Sequence, residues 1–335
     1  SAALTVNGAN VTCGAPGEKG NAVCLSSKKN MSANISNSKL DMTSSKGLVI
    51  SPMKPANESD PIEVSFNIDN SEVTASGHLF YGGFWYTNNQ SKSGSCKMNV
   101  ALTDSQINAP EGALSLDSRD CNSTLTMRID NCDATIKGIR ALNVSGTANV
   151  DVLNTTLNMP SDDPSGTMFH IGGKGSKIVN ITGSTVNMDG QFFLDDNDGI
   201  SSGSVDSIII ENSELSIENN GAAWTVGDGI RLGEKADGAE LRVSDSKLDI
   251  DCEGNGVAIG NKDATVNLTL ENTDTTIDQA RNSYIDPPSE GNNPTQSPKR
   301  ENGYNAFKVS GTEDSPVSIT GGTIIVSSNV EEEES

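Results

Sequence analysis

The chain is poor in aromatic and basic residues and almost without histidine. Phe, Trp and Tyr make up 4% of its 335 residues, 23 Lys and Arg face 45 Asp and Glu, and there are two histidines. A net charge of −22 argues against nucleic acid or an anionic membrane as partner, since both want basic surface. No apolar run approaches the ~20 residues of a membrane-spanning helix, so no membrane insertion is expected. With only His78 and His170, and no Cys-x-x-Cys spacing, nothing predicts a zinc site, and no cofactor is expected. A hydrophobic fraction of 34% is low for an ordinary globule of this length. Helices are excluded as well, because no window sustains apolar residues at i, i+3, i+4 and i+7.

What the chain does have is a repeat. Ten times a short apolar strand runs into a small-residue pair: Asn37-Ser38, Asn70-Ser71, Asp104-Ser105, Asn131-Cys132, Asn154-Thr155, Gly183-Ser184, Asn212-Ser213, Asp245-Ser246, Asn272-Thr273 and Gly321-Gly322. Successive pairs lie 23 to 49 residues apart, and Gly8-Ala9, 29 residues before the first, opens the same pattern. Apolar residues alternate before the pair (Val64, Phe66, Ile68) and after it (Leu248, Ile250). A glycine then precedes a third short strand, such as Leu114-Leu116 or Phe307-Val309. Alternation with period two sends one set of side chains inward and leaves the polar set in water. Asn, Asp and Gly tolerate the bends between strands.

Repeats of this length mean a stacked architecture. Three short strands cannot bury a face alone, but each can pair with its counterpart one coil away, ~4.8 Å along an axis. The pattern therefore predicts an all-β fold, a three-stranded parallel β-helix of about 10–11 coils. Such a narrow prism needs only every second strand residue in its core, which accounts for the low hydrophobic fraction. A propeller would show longer strands and a more regular period. Residues 1–30 are expected to form an N-terminal coil or cap and 31–330 the β-helix. Within it, 278–302 reads as an insertion rich in Pro, Asn and Ser, and 331–335 as an acidic tail. Ser1-Ala2-Ala3-Leu4 reads as the start of a mature or engineered chain.

Six cysteines can be placed on the coils. Cys13 and Cys24 fall on the second and third strands of the first coil and are expected to cross-link it. Cys96 and Cys121 fall on the approach to the first strand in adjacent coils, at a separation that suits a disulfide. Cys132 and Cys252 lie four coils apart and are expected as thiols. Two disulfides suggest an oxidising compartment.

Departures from the repeat carry the functional expectations. Tyr81-Gly82-Gly83-Phe84-Trp85-Tyr86 concentrates aromatics in a chain that has few. Asp195-Asp196-Asn197-Asp198-Gly199 and the segment from Gly227 to Lys235, with Asp228 and Arg231, occupy the equivalent turn in later coils. Turns at one coil position project from one edge of the prism, and insertions on one face often mark a binding face. Tyr81, Phe84, Trp85, Asp195, Asp196, Asp198, Asp228 and Arg231 are thus the candidate ligand-binding residues. Their acidic, amide-rich and aromatic chemistry suits sugar hydroxyls and pyranose rings. For the aspartate run, plain solvation or a Ca²⁺ loop are the alternatives; for the aromatics, a cover over the core.

The opening Ala3-Leu4-Thr5-Val6-Asn7-Gly8-Ala9-Asn10-Val11, followed by coils of the form Val/Ile-x-Asn-Ser-x-Leu-x-Ile, resembles the passenger domains of bacterial autotransporters, in particular the AIDA-type adhesins. The resemblance implies a right-handed β-helix of the pectin-lyase-like kind, exported and displayed at the bacterial cell surface. It implies adhesion to host glycans or extracellular-matrix proteins, with self-association in biofilm as a variant. Six cysteines depart from that family's habit. The alternative is a polysaccharide-degrading enzyme, hydrolase or lyase. Asp196-Asn197-Asp198-Gly199-Ile200 faintly resembles a polygalacturonase stretch, but that family's Asp-Asp-Cys, Gly-His-Gly and Arg-Ile-Lys motifs are missing.

Overall fold

The computed structural model describes residues 1–13, 23–27, 29–43, 47–52, 62–77, 79–83, 95–117, 122–142, 144–160, 166–195, 201–219, 227–280 and 305–329. Among these there is no helix, and every strand pairing is parallel. One face stacks eleven strands from Ala2–Asn7 to Val317–Thr320, each bonded to its counterparts in the neighbouring rungs. A second face stacks eleven more, from Asn10–Thr12 to Ile324–Asn329. On the third face, Val23–Ser27, Leu48–Pro52 and Phe80–Gly83 lead onto the distal halves of Gln106–Asp117 and Asp133–Leu142, then Thr167–Ile171 and Gln191–Leu194. Ile230–Leu232, Val257–Ile259 and Phe307–Val309 complete that face as a separate three-stranded sheet. The molecule is a parallel β-solenoid, as the repeat predicts. Parallel crossovers are right-handed almost without exception, so a right-handed β-helix is the consistent description.

The small-residue pairs are the corners between the first and second faces. Their first residues all adopt the left-handed backbone conformation, from φ 43° at Asn70 and 53° at Asn131 to 69° at Gly321. Asn and Asp are the side-chain-bearing residues that reach this region most readily, and Gly does so freely. The second residue is buried and carries a hydroxyl at most rungs. Ser71 Oγ donates to Asp69 O (2.7 Å) and accepts from the Ser38 amide of the previous rung (3.1 Å). The same two bonds recur at Ser213, from Oγ to Glu211 O (2.8 Å) and from the Ser184 amide to Oγ (3.1 Å). Thr155 serves the Cys132 amide in the same way at 3.2 Å. A column of hydroxyls therefore satisfies amides that the corner leaves without a strand partner.

Inward positions stack like on like. Phe66 and Phe80 lie with ring centroids 4.5 Å apart, and Phe169 meets Phe192 edge-on at 5.4 Å. Phe66, Phe80, Phe169, Phe192 and Phe193 are all buried. The few aromatics described are thus largely core, each contributing ~1.5–3 kcal/mol by burial. At the last rung the inward columns emerge, leaving Val317 at 53% and Val326 at 49% exposure.

Two expectations need correction. The long insertion begins later than residue 278, because strand Asp274–Ala280 runs through it and pairs Asp278 with Ser327. No disulfide forms among the described residues. Cys13 packs against the core whereas Cys24 is exposed, between Val23 and Leu25 that face inward, so strand alternation points the two thiols apart. Cys96 is buried, and its in-register neighbour in the next rung is Ser123. Cys121, two residues upstream of that register, lies outside the described residues. Cys132 and Cys252 are thiols as expected, and burial foremost pushes Cys252 up to about 12.

Candidate functional site

Of the proposed edge, the described aspartates Asp195 and Asp228 point inward. Tyr81 belongs to strand Phe80–Gly83 rather than to the turn beyond it. Phe84, Trp85, Asp196 and Asp198 lie outside the described residues. Asp228 is buried, and its Oδ1 accepts from both the amide (2.7 Å) and the side chain (2.8 Å) of Asn255 one rung on. Its carbonyl accepts from Asn219 Nδ2 at 2.7 Å, and Asn255 Oδ1 in turn accepts from the Asn305 amide at 2.9 Å. Asp228 thus opens an internal relay that fastens three successive corners. Arg231, on the third-face strand Ile230–Leu232, pairs at 2.7 Å with Glu234 and more loosely at 3.8 Å with Asp228.

Asp195 has also turned inward. Its carboxylate lies 3.3 Å from Lys177 Nζ, which is 3.5 Å from Asp206 Oδ1. The side chains of Lys177, Asp195 and Asp206 are 1%, 4% and 0% exposed. Lys177 and Asp206 face each other in register on adjacent first-face strands. They interrupt an inward column that otherwise reads Leu125, Ala148, Ala239 and Val266, all buried. The small alanines on either side leave room for the lysine chain. Burial pushes Asp206 up to about 7, Lys177 pulling against that rise and Asp195 adding to it. Neither Lys177 Nζ nor either oxygen of Asp206 makes a hydrogen bond. Sequence reasoning missed this cluster, although the signal was present: counting back in twos from Val179 and Ile181 puts Lys177 inward, and from Ile208 and Ile210 puts Asp206 inward.

Among the described residues, the outer surface of the second face presents a regular polar column. Asp41, Thr74, Asn108, Thr135, Asn158, Asn187, Ser216, Asp249 and Thr276 stand in register on successive rungs. Beside this column, Asp189, Glu218, Asp251 and Asp278 form four carboxylates stacked one rung apart. Partial burial, then Asp278, Glu218 and Asp249, raise Asp251 above the ordinary carboxylate range; burial and then Glu218 raise Asp189. Among the described residues, no group of three or more His, Cys, Asp or Glu side chains is arranged to hold a metal ion. No helix there is long and apolar enough to cross a membrane.

Fold and surface define the class, a parallel β-solenoid with a polar, acidic outer sheet. No protein family, curated protein or solved structure compared with the chain matches it.

Proposed function

We propose that the protein is a bacterial surface adhesin that holds a host glycan or an extracellular-matrix protein along the second face, displayed outside the cell. The observation that supports this most is the unbroken column of short Asp, Thr, Asn and Ser side chains at one strand spacing, with acids beside it. A flat ladder of donors and acceptors suits an extended, hydroxyl-rich or basic partner, which it meets without deforming. Self-association through the same ladder is a variant, and like charge makes it sensitive to salt.

A second reading has one specific feature in its favour. Asp251 and Asp278 face each other across adjacent rungs, and burial, then the neighbouring acids, raise Asp251. Carboxyl groups ~5–5.5 Å apart, one of them raised, are what a retaining glycosidase uses. One experiment separates the two. The protein is passed over a glycan and matrix-protein array, beside a variant carrying Glu218→Gln, Asp249→Asn and Asp251→Asn, and eluates are assayed for new reducing ends or unsaturated products. Retention without products, lost in the variant, is expected. Products would replace adhesion with catalysis, and retention unchanged in the variant would remove the second face as the receptor surface.

A further inference from the structure

We propose that Lys177 and Asp195 condense to a side-chain amide inside the solenoid, with Asp206 as the acid–base group that relays the protons.

The three side chains have the chemistry and the placement for it. Lys177 Nζ sits 3.3 Å from Asp195 Oδ2, which places the amine against the carboxyl group it would attack. Asp206 Oδ1 is 3.5 Å from the same nitrogen. The surroundings are dry: Phe192 and Phe193 lead the chain to Asp195, and the column above and below is alanine, then Leu125 and Val266, all buried. Burying one ammonium with two carboxylates leaves a net negative charge in a low-dielectric core, which is strongly unfavourable. The cluster relieves that charge by keeping Asp206 protonated near neutrality, consistent with its rise to about 7. Lys177 Nζ stands between the two carboxylates and can exchange a proton with either.

The step balances without any other reactant. Lys177 transfers a proton to Asp195, giving a neutral amine beside a neutral carboxylic acid. Nζ attacks Asp195 Cγ, forming the C–N bond, while Asp206 gives its proton to the carbonyl oxygen. The nitrogen then returns a proton to Asp206, which delivers it to the departing hydroxyl and takes back the proton left on the carbonyl oxygen. The C–O bond breaks, one water leaves, and Asp206 ends protonated as it began. Three ionisable groups become one amide and one neutral acid. The bond fastens the start of a first-face strand to the end of the third-face strand in the same rung, closing that rung across its corner.

Intact-mass measurement of the reduced, folded protein tests this directly. The chain is expected to be lighter than its sequence mass by one water, and a protease digest to contain a branched peptide joining Lys177 to Asp195. Asp206→Asn, shown to be folded by circular dichroism, is expected to recover the full mass and the unbranched peptides. A wild-type mass equal to the sequence mass would overturn the proposal. So would a one-water deficit without the branched peptide, since a cyclic imide at Asp198-Gly199 produces the same loss.

Discussion

Ser213→Ala isolates the hydroxyl column. Ser213 is 3% exposed, and its Oγ accepts from the Ser184 amide at 3.1 Å while donating to Glu211 O at 2.8 Å. Alanine keeps the volume nearly constant and leaves the Ser184 N–H buried without an acceptor. An orphaned buried donor costs ~1–3 kcal/mol, and because little packing is lost, about 2 kcal/mol is expected. Ser213→Thr should change stability by less than ~0.5 kcal/mol, because Thr155 and Thr273 already occupy the equivalent position elsewhere. Each rung contacts only its neighbours, so the damage is local. The assay is a urea titration read as a midpoint shift at constant slope, with hydrogen exchange at the Ser184 amide beside that of Ser38. Ser216→Ala, on the exposed side of the same face, is the control. If Ser213→Ala and Ser216→Ala are equally mild and the Ser184 amide stays protected, the column contributes nothing and the account of the corners is wrong.

Three further outcomes follow from the same contacts. Asn131→Ala forces an alanine to φ 53° and removes the 2.6 Å bond to Asp104, so it should cost ~1–2 kcal/mol, while Asn131→Gly is milder; a reversed order in urea titrations would refute this. Asp228→Ala should destabilise the last rungs by ~2–3 kcal/mol through the orphaned Asn255 amide, with Asp228→Asn milder; Asp228→Ala remaining as stable as wild type while losing array retention would return Asp228 to the ligand surface. Asp206 stands at about 7 in the fold against an ordinary 3.8, so the native chain binds the extra proton between those values. Its contribution is a loss of stability as pH rises from about 4 to 7, levelling above that and amounting to ~4 kcal/mol. Asp206→Asn should remove that fall; identical pH profiles for variant and wild type would contradict the shift.

The sequence made the rungs legible because two physical constraints repeat at every coil. The corner needs a left-handed backbone, which selects Asn, Asp or Gly, and the next position needs a small buried hydrogen-bonding group, which selects Ser or Thr. Each of the ten small-residue pairs named from sequence is a left-handed corner, and all but Asn131-Cys132 and Gly321-Gly322 put Ser or Thr second. Orientation at the edges was harder to read. The segment from Gly227 to Lys235 looks like an acidic, glycine-rich turn, yet Ile230–Leu232 within it is a strand and Asp228 faces the interior. Residue type alone points acidic side chains to solvent, whereas in this fold direction follows phase along the strand. The cysteine pairing failed for the same reason: Cys13 and Cys24 are near in coil position but opposite in phase.

Phase also explains why the interior says more about this protein than its charge does. On a solenoid, an inward residue is constrained by the rung above and the rung below, so a charge there must be matched within one strand spacing or it destabilises the stack. Lys177 is matched in that way, to Asp206 in register and to Asp195 at the end of its own rung. An outward residue is under no such demand, and Thr, Asn, Ser and Asp exchange along the second face without changing the fold. That freedom lets one scaffold carry many surfaces, so a ligand must be found by testing the outer ladder itself. The buried charge cluster, by contrast, is enclosed by the rungs, with side chains 1%, 4% and 0% exposed, so its charges are balanced within the chain.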